Sequence, residues 1–440
     1  MAITHVNGPL PGPRGRELLE TWHQYEADVT GFQAPVVWEK ARGCQVTDVD
    51  GNVYLDWTSG VLVTNVGHCH PHLVRAAQEA SAQLLNNYEC PNVQRIQAAK
   101  RLVEALPKHL DTCFFLSTGS EATEAAARLM RRATGRFELL SFVGAFHGRT
   151  YGAAGMGGLP GPKRLYGPSL PGIVRAPFPN PYRDAEGWCE GGPTFQRFFD
   201  HLDLVVDANA SGPLAGLIVE PYQGAAGFIF PPPGWLKRLE AWARARDMLF
   251  TLDEVQASYG RTGRMWAMEH EELTPDIVTI GKAIGSGVPV SAVAASRRVF
   301  GCLQKGEMSS TLGGNPVASA AVCAVLDIFE REGLVANAQR MGARMKTRLE
   351  ALSRRSPYLG DVRGMGLVMG LEFVKDKATR EPAKDLTRRV IVDSANRGLL
   401  VGSVGMYGNV IRVAPPLVIT PEEVDESLAI MERVVLGLEA

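Results

Sequence analysis

Apolar and polar positions follow different periods in different parts of this chain, and the change of period marks its organisation. From Phe114 to about Val299, short apolar runs end abruptly in small or polar residues, with helical stretches between them. The pattern predicts strands over Cys113 to Leu116, Glu138 to Phe142, Leu214 to Glu220, Leu249 to Asp253 and Ile277 to Ile280. Several are apolar at consecutive positions, as in a parallel sheet covered by helices on both faces. Strands alternating with helices in this way point to an α/β fold.

The flanking regions read differently. Gly15 to Glu26 suits a helix after an irregular arm. Gln45 to Asp56 predicts a hairpin, V-T-D-V turning at Asp50-Gly51-Asn52 into V-Y-L-D. Gly155 to Gly172, rich in Gly and Pro, is expected to be a long surface loop. After Thr311 a helical region runs to Leu352. Asp361 to Val374, a helix over Leu386 to Gly398, a strand at Val410 to Val413 and a closing helix follow. The expected organisation is an arm and hairpin over residues 1–60, a large domain over 61–315 and a smaller α+β domain over 316–440. The arm is expected to pack with the small domain, because chain ends often meet.

Composition narrows the function classes. A net charge of −1 removes any broad electrostatic reason for nucleic acid or an anionic membrane as partner. The longest apolar run, Val317 to Leu326, is too short to span a bilayer. Met1 to Arg16 lacks the apolar stretch of a secretory signal. Seven cysteines without a C-x-x-C pair suit reduced thiols. A soluble, cytoplasmic protein is expected.

In an open α/β sheet, ligands bind beyond the carboxyl ends of the strands. Three such ends carry chemistry here. After Leu116 come Ser117-Thr118-Gly119-Ser120-Glu121, then a helix with Ala122, Ala125, Ala126, Leu129 and Met130 on one face. Thr118 and Glu121 have capping-box spacing. A Gly-Ser turn that opens a helix offers free N–H groups and the positive dipole end to a phosphate. Taken alone, an ordinary capped helix is the simpler reading. At the second end, Asp253 follows a buried strand, where a carboxylate serves as metal ligand, general base or partner of a cationic ring nitrogen. At the third, Lys282 follows Ile277 to Ile280. Burying its ammonium is costly, so its pKa should fall and its amine become nucleophilic, although a lone lysine more simply snorkels to solvent. Together, a phosphate cradle, an Asp and a Lys meet the needs of pyridoxal phosphate. The lysine forms a Schiff base, and the Asp keeps the pyridine nitrogen protonated so that the ring withdraws electrons.

Other features have plainer readings. His68, His70 and His72 alternate, but a helix starting at Pro71 would scatter the imidazoles, so no metal is expected. Met365, Met369 and Met406 suit core or pocket filling, and Gly402, Gly405 and Gly408 suit turns.

The chain resembles class-III aminotransferases of pyridoxal-phosphate fold type I over nearly its whole length. Nine segments run in that family's order: G-H-C-H-P-H from Gly67, S-T-G-S-E-A from Ser117, A-F-H-G-R-T from Ala145, V-E-P-Y-Q-G from Val219, L-D-E-V-Q from Leu252, R-T-G from Arg261, Gly281-Lys282, S-T-L-G-G-N-P from Ser310 and I-R-V-A-P-P-L from Ile411. The resemblance implies pyridoxal 5'-phosphate as cofactor, Lys282 as Schiff-base lysine and proton shuttle, and Asp253 as partner of the ring nitrogen. Thr118, Gly119 and Ser120 resemble the phosphate cradle. Thr311 resembles the threonine that reaches the phosphate of a neighbouring subunit, which implies a homodimer or a dimer of dimers. Phe146 and Val255 should lie against opposite ring faces, Gln256 near the phenolic oxygen, and His147 at the edge of the site. Arg412 matches the arginine that grips the α-carboxylate of amino and 2-oxo acids, by a fork suited to planar carboxylates. Arg149 matches one that holds a distal carboxylate.

One departure matters. Members using ω-amino donors often carry a glutamate that neutralises the carboxylate-binding arginine in one half-reaction, and its place here is Ala225. The expected function is transfer of an amino group from an amino acid to 2-oxoglutarate or pyruvate by a ping-pong route. The alternative is amino-acid racemisation, epimerisation or decarboxylation, in relatives that also lack the gate.

Overall fold

The apolar runs of the central stretch become one seven-stranded sheet. Its strands are Thr112–Leu116 (β1), Leu139–Phe142 (β2), Ile173–Ala176 (β3), Gly216–Val219 (β4), Leu249–Asp253 (β5), Ile277–Ile280 (β6) and Ser291–Ala295 (β7), in the order β1-β7-β6-β5-β4-β2-β3. The computed structural model that shows them describes residues 2–438 apart from residues 32 and 191. From β6 to β3 every pairing is parallel, while β7 runs antiparallel to both β1 and β6. Because β7 reverses twice, β1 points the same way as β6. The carboxyl ends of β1, β2, β4, β5 and β6 therefore share one edge of the sheet.

Five of these strands coincide with the predicted apolar runs. β7 was missed because S-A-V-A-A is small and weakly strand-forming, and only full burial between two neighbours decides it. The expected loop Gly155 to Gly172 is instead partly helical, with helices Tyr151–Met156 and Pro160–Tyr166. Pro160 occupies a helical first turn, where its missing N–H costs nothing.

The helix Gly119–Thr134 lies on the sheet and buries Ala122, Ala125, Ala126, Leu129 and Met130 in a core shared with Ile218, Ile277 and Val293. Burial of a side chain the size of Leu129 stabilises by roughly 1.5–3 kcal/mol. The same unit includes Pro71–Tyr259 and Arg264–Glu332. Its helix Pro316–Glu332 packs on Pro71–Gln83 and Val93–Ala105, which places it in this unit rather than in the C-terminal one expected from residue 316. Gly333 then adopts φ +61 and divides the expected helical region into Pro316–Glu332 and Leu334–Arg355. A helix does begin at Pro71, and His72 Nε2 pairs with Asp327 at 2.9 Å.

The second unit comprises Met1–His70, Gly260–Gly263 and Gly333–Ala440, of which residues 1, 439 and 440 lie outside the described residues. Its antiparallel sheet holds Leu359–Met365 (β8), Val368–Phe373 (β9), Gly402–Val404 (β10) and Val410–Val413 (β11), in the order β8-β9-β11-β10. The predicted hairpin forms as Gln45–Asp48 and Val53–Asp56, and Leu399–Leu400 adds to it in parallel. Residues 61–70 and 260–263 belong here rather than with the large sheet. The reason for the latter is Arg261, fully buried, which donates to the carbonyls of Leu367 at 2.8 Å and Pro415 at 2.6 Å, and to Asn65 Oδ1 at 2.5 Å. It also reaches Ser59 Oγ at 3.3 Å, at the start of a turn in which Ser59, Gly60, Val61 and Leu62 all have positive φ. A β-branched residue such as Val61 is strained there, so the clamp holds a conformation the chain would not keep alone. Met369 is buried as expected, but Met365 and Met406 are more than a third exposed and fill no core. Gly402 sits in a strand rather than a turn. Among the described residues no helix is long and apolar enough to cross a membrane.

Candidate active site

Asp253 ends β5, and its carboxylate is 4 % exposed. Oδ1 accepts from the Thr279 hydroxyl at 3.0 Å and the Val255 N–H at 3.1 Å. The Thr279 contact follows from the parallel register, which sets Thr279 of β6 beside Asp253. Oδ2 lies 2.7 Å from His147 Nδ1. An ionised carboxylate only accepts, so that imidazole nitrogen carries the proton. Three groups thus converge on this buried carboxylate and fix its orientation. His147 is 2 % exposed, and its Nε2 is buried without a partner among the described residues.

Lys282 follows β6 through Gly281 and has φ +48, a left-handed conformation uncommon outside glycine. Burial lowers its pKa, with the charges of Asp253 and Glu220 acting in the opposite direction. Val255 packs against both turns that frame this lysine. A Cβ at Gly119 or at Gly281 would each stand 3.0 Å from Val255 Cγ1, so the helix start and the lysine turn approach as closely as glycine allows.

The helix start carries a full capping box. Thr118 Oγ1 accepts from the Glu121 N–H at 3.3 Å, and Glu121 Oε2 accepts from the Thr118 N–H at 2.8 Å. The cap leaves the first two helical N–H groups, Gly119 and Ser120, pointing out of the helix end. That is a site for an anion. Ser120 Oγ also accepts from the Arg149 N–H at 3.1 Å, which fixes the loop after β2 to this helix.

These groups line one cavity of about 330 Å³, together with Phe146, Arg149, Glu220, Ala225 and Gln256. Gln256 Oε1 is buried with no hydrogen-bond partner among the described residues and packs against Gly224, where a Cβ would stand 1.9 Å from it. Arg149 is exposed, and its guanidinium stands 5.8 Å from the centre of the Phe146 ring. The cavity thus offers an amine whose neutral form burial favours, a carboxylate held in place by three neighbours, an anion-binding helix end and an aromatic wall. An aldehyde-bearing, cationic, phosphorylated aromatic ring fits that donor set.

Glu220, which is not among the expected site residues, follows β4 directly, much as Asp253 ends β5. Its Oε1 accepts from the Phe146 N–H and its Oε2 from the Gly224 N–H, both at 3.0 Å. Burial pushes its pKa up to about 7, with Asp253 adding to the rise and His147 and the two N–H donors opposing it. The signal was available, a carboxylate straight after a buried apolar run.

Two expected residues are not in this cavity. Thr311 is exposed and does not line it. Arg412 belongs to the other unit, where it opens on a cavity of about 610 Å³ lined by Trp22, Val36, Trp38, Val61 and Leu400. It is 6 % exposed, and its Nε is buried without a partner among the described residues. Burial lowers its pKa while Asp56 acts to raise it. Asp56 itself is engaged, accepting from His68 at 2.9 Å and from the Thr58 N–H at 2.6 Å.

The family profile described as aminotransferase class-III matches residues 27–435. An alanine/serine racemase of Pyrococcus horikoshii is 34% identical, over 97% of this chain and 91% of its own length. An acetylornithine aminotransferase of Methanopyrus kandleri is 36% identical, over 94% of this chain and 97% of its own. Among solved structures, an (S)-enantioselective omega-transaminase of Thermomicrobium roseum superposes with a TM-score of 0.89 at 31% identity, covering 95% of this chain and 97% of that one.

Proposed function

The chain belongs to the class-III aminotransferases, and from that premise we propose that it moves an amino group from an amino acid to a 2-oxo acid. The observation that carries this reading is the meeting of Lys282, the Asp253–His147 pair and the Gly119 helix end in one cavity. The family uses pyridoxal phosphate, which when bound supplies the carbonyl that takes up the amino group and the electron sink that stabilises the deprotonated α-carbon.

The chain's own residues do the rest. Lys282 anchors the cofactor through its amine and carries the proton taken from the substrate Cα. Desolvation favours the neutral amine this requires. Asp253 fixes positive charge at the ring nitrogen, and His147 holds the Asp253 carboxylate in place. The Gly119 and Ser120 N–H groups and the helix dipole hold the phosphate, while the Thr118 hydroxyl serves the cap. Phe146 and Val255 bracket the ring, and Gln256 orients its phenolic edge. Arg412 binds the substrate α-carboxylate, consistent with a buried guanidinium lacking a partner for Nε. Thr311 completes the phosphate site of a second copy in a homodimer. The exposed apolar side chains of Leu85, Ile96 and nearby Leu312 support such a contact surface.

Ala225 lines the cavity and cannot neutralise Arg412, which favours α-amino acid donors and also leaves racemisation as the second reading. One experiment separates them: a single enantiomer offered to the holoenzyme without any oxo acid. An aminotransferase stops after one equivalent of donor, with its cofactor in the amine form. Continued production of the opposite enantiomer would overturn transamination. Arg149→Ala is expected to raise KM for 2-oxoglutarate by about 10-fold, the worth of one hydrogen bond to a charged group. Pyruvate, which has no distal carboxylate, should keep its KM. An equal rise for both acceptors in steady-state assays would remove Arg149 from the distal site.

A further inference from the structure

Arg412 lies on β11 between two neighbours of the same sheet, and its directly opposed residue on each is a glycine. Gly370 faces it from β9 and Gly402 from β10. Residues directly opposed on adjacent strands share a face, and their side chains normally meet. Here there is nothing for Arg412 to meet. A Cβ built at Gly402 would stand 2.7 Å from Arg412 Nη2, 3.0 Å from Cζ and 3.1 Å from Nε. The guanidinium thus lies flat across the bare backbone of β10, in space that any side chain at position 402 would take. Gly402 has no positive φ that would itself demand glycine. Room for Arg412 is the requirement that the geometry shows.

We propose that Gly402 is a positioning residue that sets where the Arg412 fork presents itself to a carboxylate. The inference rests on the reading of Arg412 as the α-carboxylate ligand. A guanidinium grips a carboxylate through two parallel N–H bonds, so its plane and position decide the strength of the grip. Adding a methyl group at 402 leaves the backbone free to stay in place, because the group it meets is the far end of a long side chain. That end must move, and with it the fork.

The test uses holoenzyme with pyruvate as acceptor and propanoate, a carboxylate without an amine, as competitive probe. Gly402→Ala should raise both the KM for pyruvate and the Ki of propanoate by about 10-fold, the scale of one lost charged hydrogen bond. The melting temperature and kcat should change far less. Lysine at 412 has a slimmer, single-point head, so in an Arg412→Lys background the same Gly402→Ala change should alter KM and Ki by less than about twofold. Unchanged constants for Gly402→Ala in the Arg412 enzyme would overturn the inference. So would an equal loss in both backgrounds, since that is the mark of a distorted strand rather than a displaced fork. If Arg412→Ala itself leaves KM and Ki unchanged, the α-carboxylate reading fails, and the role of Gly402 falls with it.

Discussion

Lys282→Ala is expected to lower turnover by on the order of 10⁴-fold, the upper range for a positioned general acid–base group. The substitution removes two functions from one atom, the anchor of the cofactor and the carrier of the Cα proton. It should leave cofactor bound, because the Gly119 helix end and Asp253 do not depend on the lysine. Borohydride reduction of the wild type should fix cofactor to the peptide carrying Lys282, and the variant should yield no such adduct. A label on a different lysine, or turnover near that of the wild type, would overturn the assignment. Burial lowers the Lys282 pKa, so its amine is neutral at a pH where an exposed lysine is still charged. Methylamine added to the variant lacks that environment. Partial rescue by methylamine should therefore keep rising with pH beyond the point where the wild-type rate has levelled.

Asp253→Asn should cost at least about 10²-fold in kcat, the size of one electrostatic contact in an active site. An amide cannot hold a neighbouring ring nitrogen positive. The change also disturbs the network behind the site, where Asp253 accepts from His147, Thr279 and Val255. An amide nitrogen turned toward His147 would face a donor, so the imidazole would have to shift its proton to Nε2. That nitrogen is already buried without a partner, which makes either tautomer available at the expense of order. The expected signature is a kcat loss with cofactor still bound and KM little changed. Near-normal kcat would show that the charge of Asp253 is not needed.

Much of this site was legible in the chain itself. Each chemical residue stands straight after an apolar run, and in a parallel sheet such runs end on a common edge. Asp253, Lys282 and the Thr118–Glu121 capping box needed only that rule and local geometry. Glu220 obeys the same rule and was overlooked because its strand was read as containing it. Tertiary structure alone decided the rest. β7 is an alanine-rich segment that becomes a strand only between β1 and β6, and it supplies the antiparallel member of the mostly parallel sheet that was expected. The His147–Asp253 bond joins residues 106 positions apart, a distance in sequence that no local period reports. Gly402 read as a turn signal, since nothing in its neighbourhood shows that a guanidinium ten residues later will cross it. Local sequence carries propensity, caps and periodicity, which act over a few residues. Which side chains share a face, and which glycines make room for them, depends on strand register, and register is settled only when the whole sheet packs.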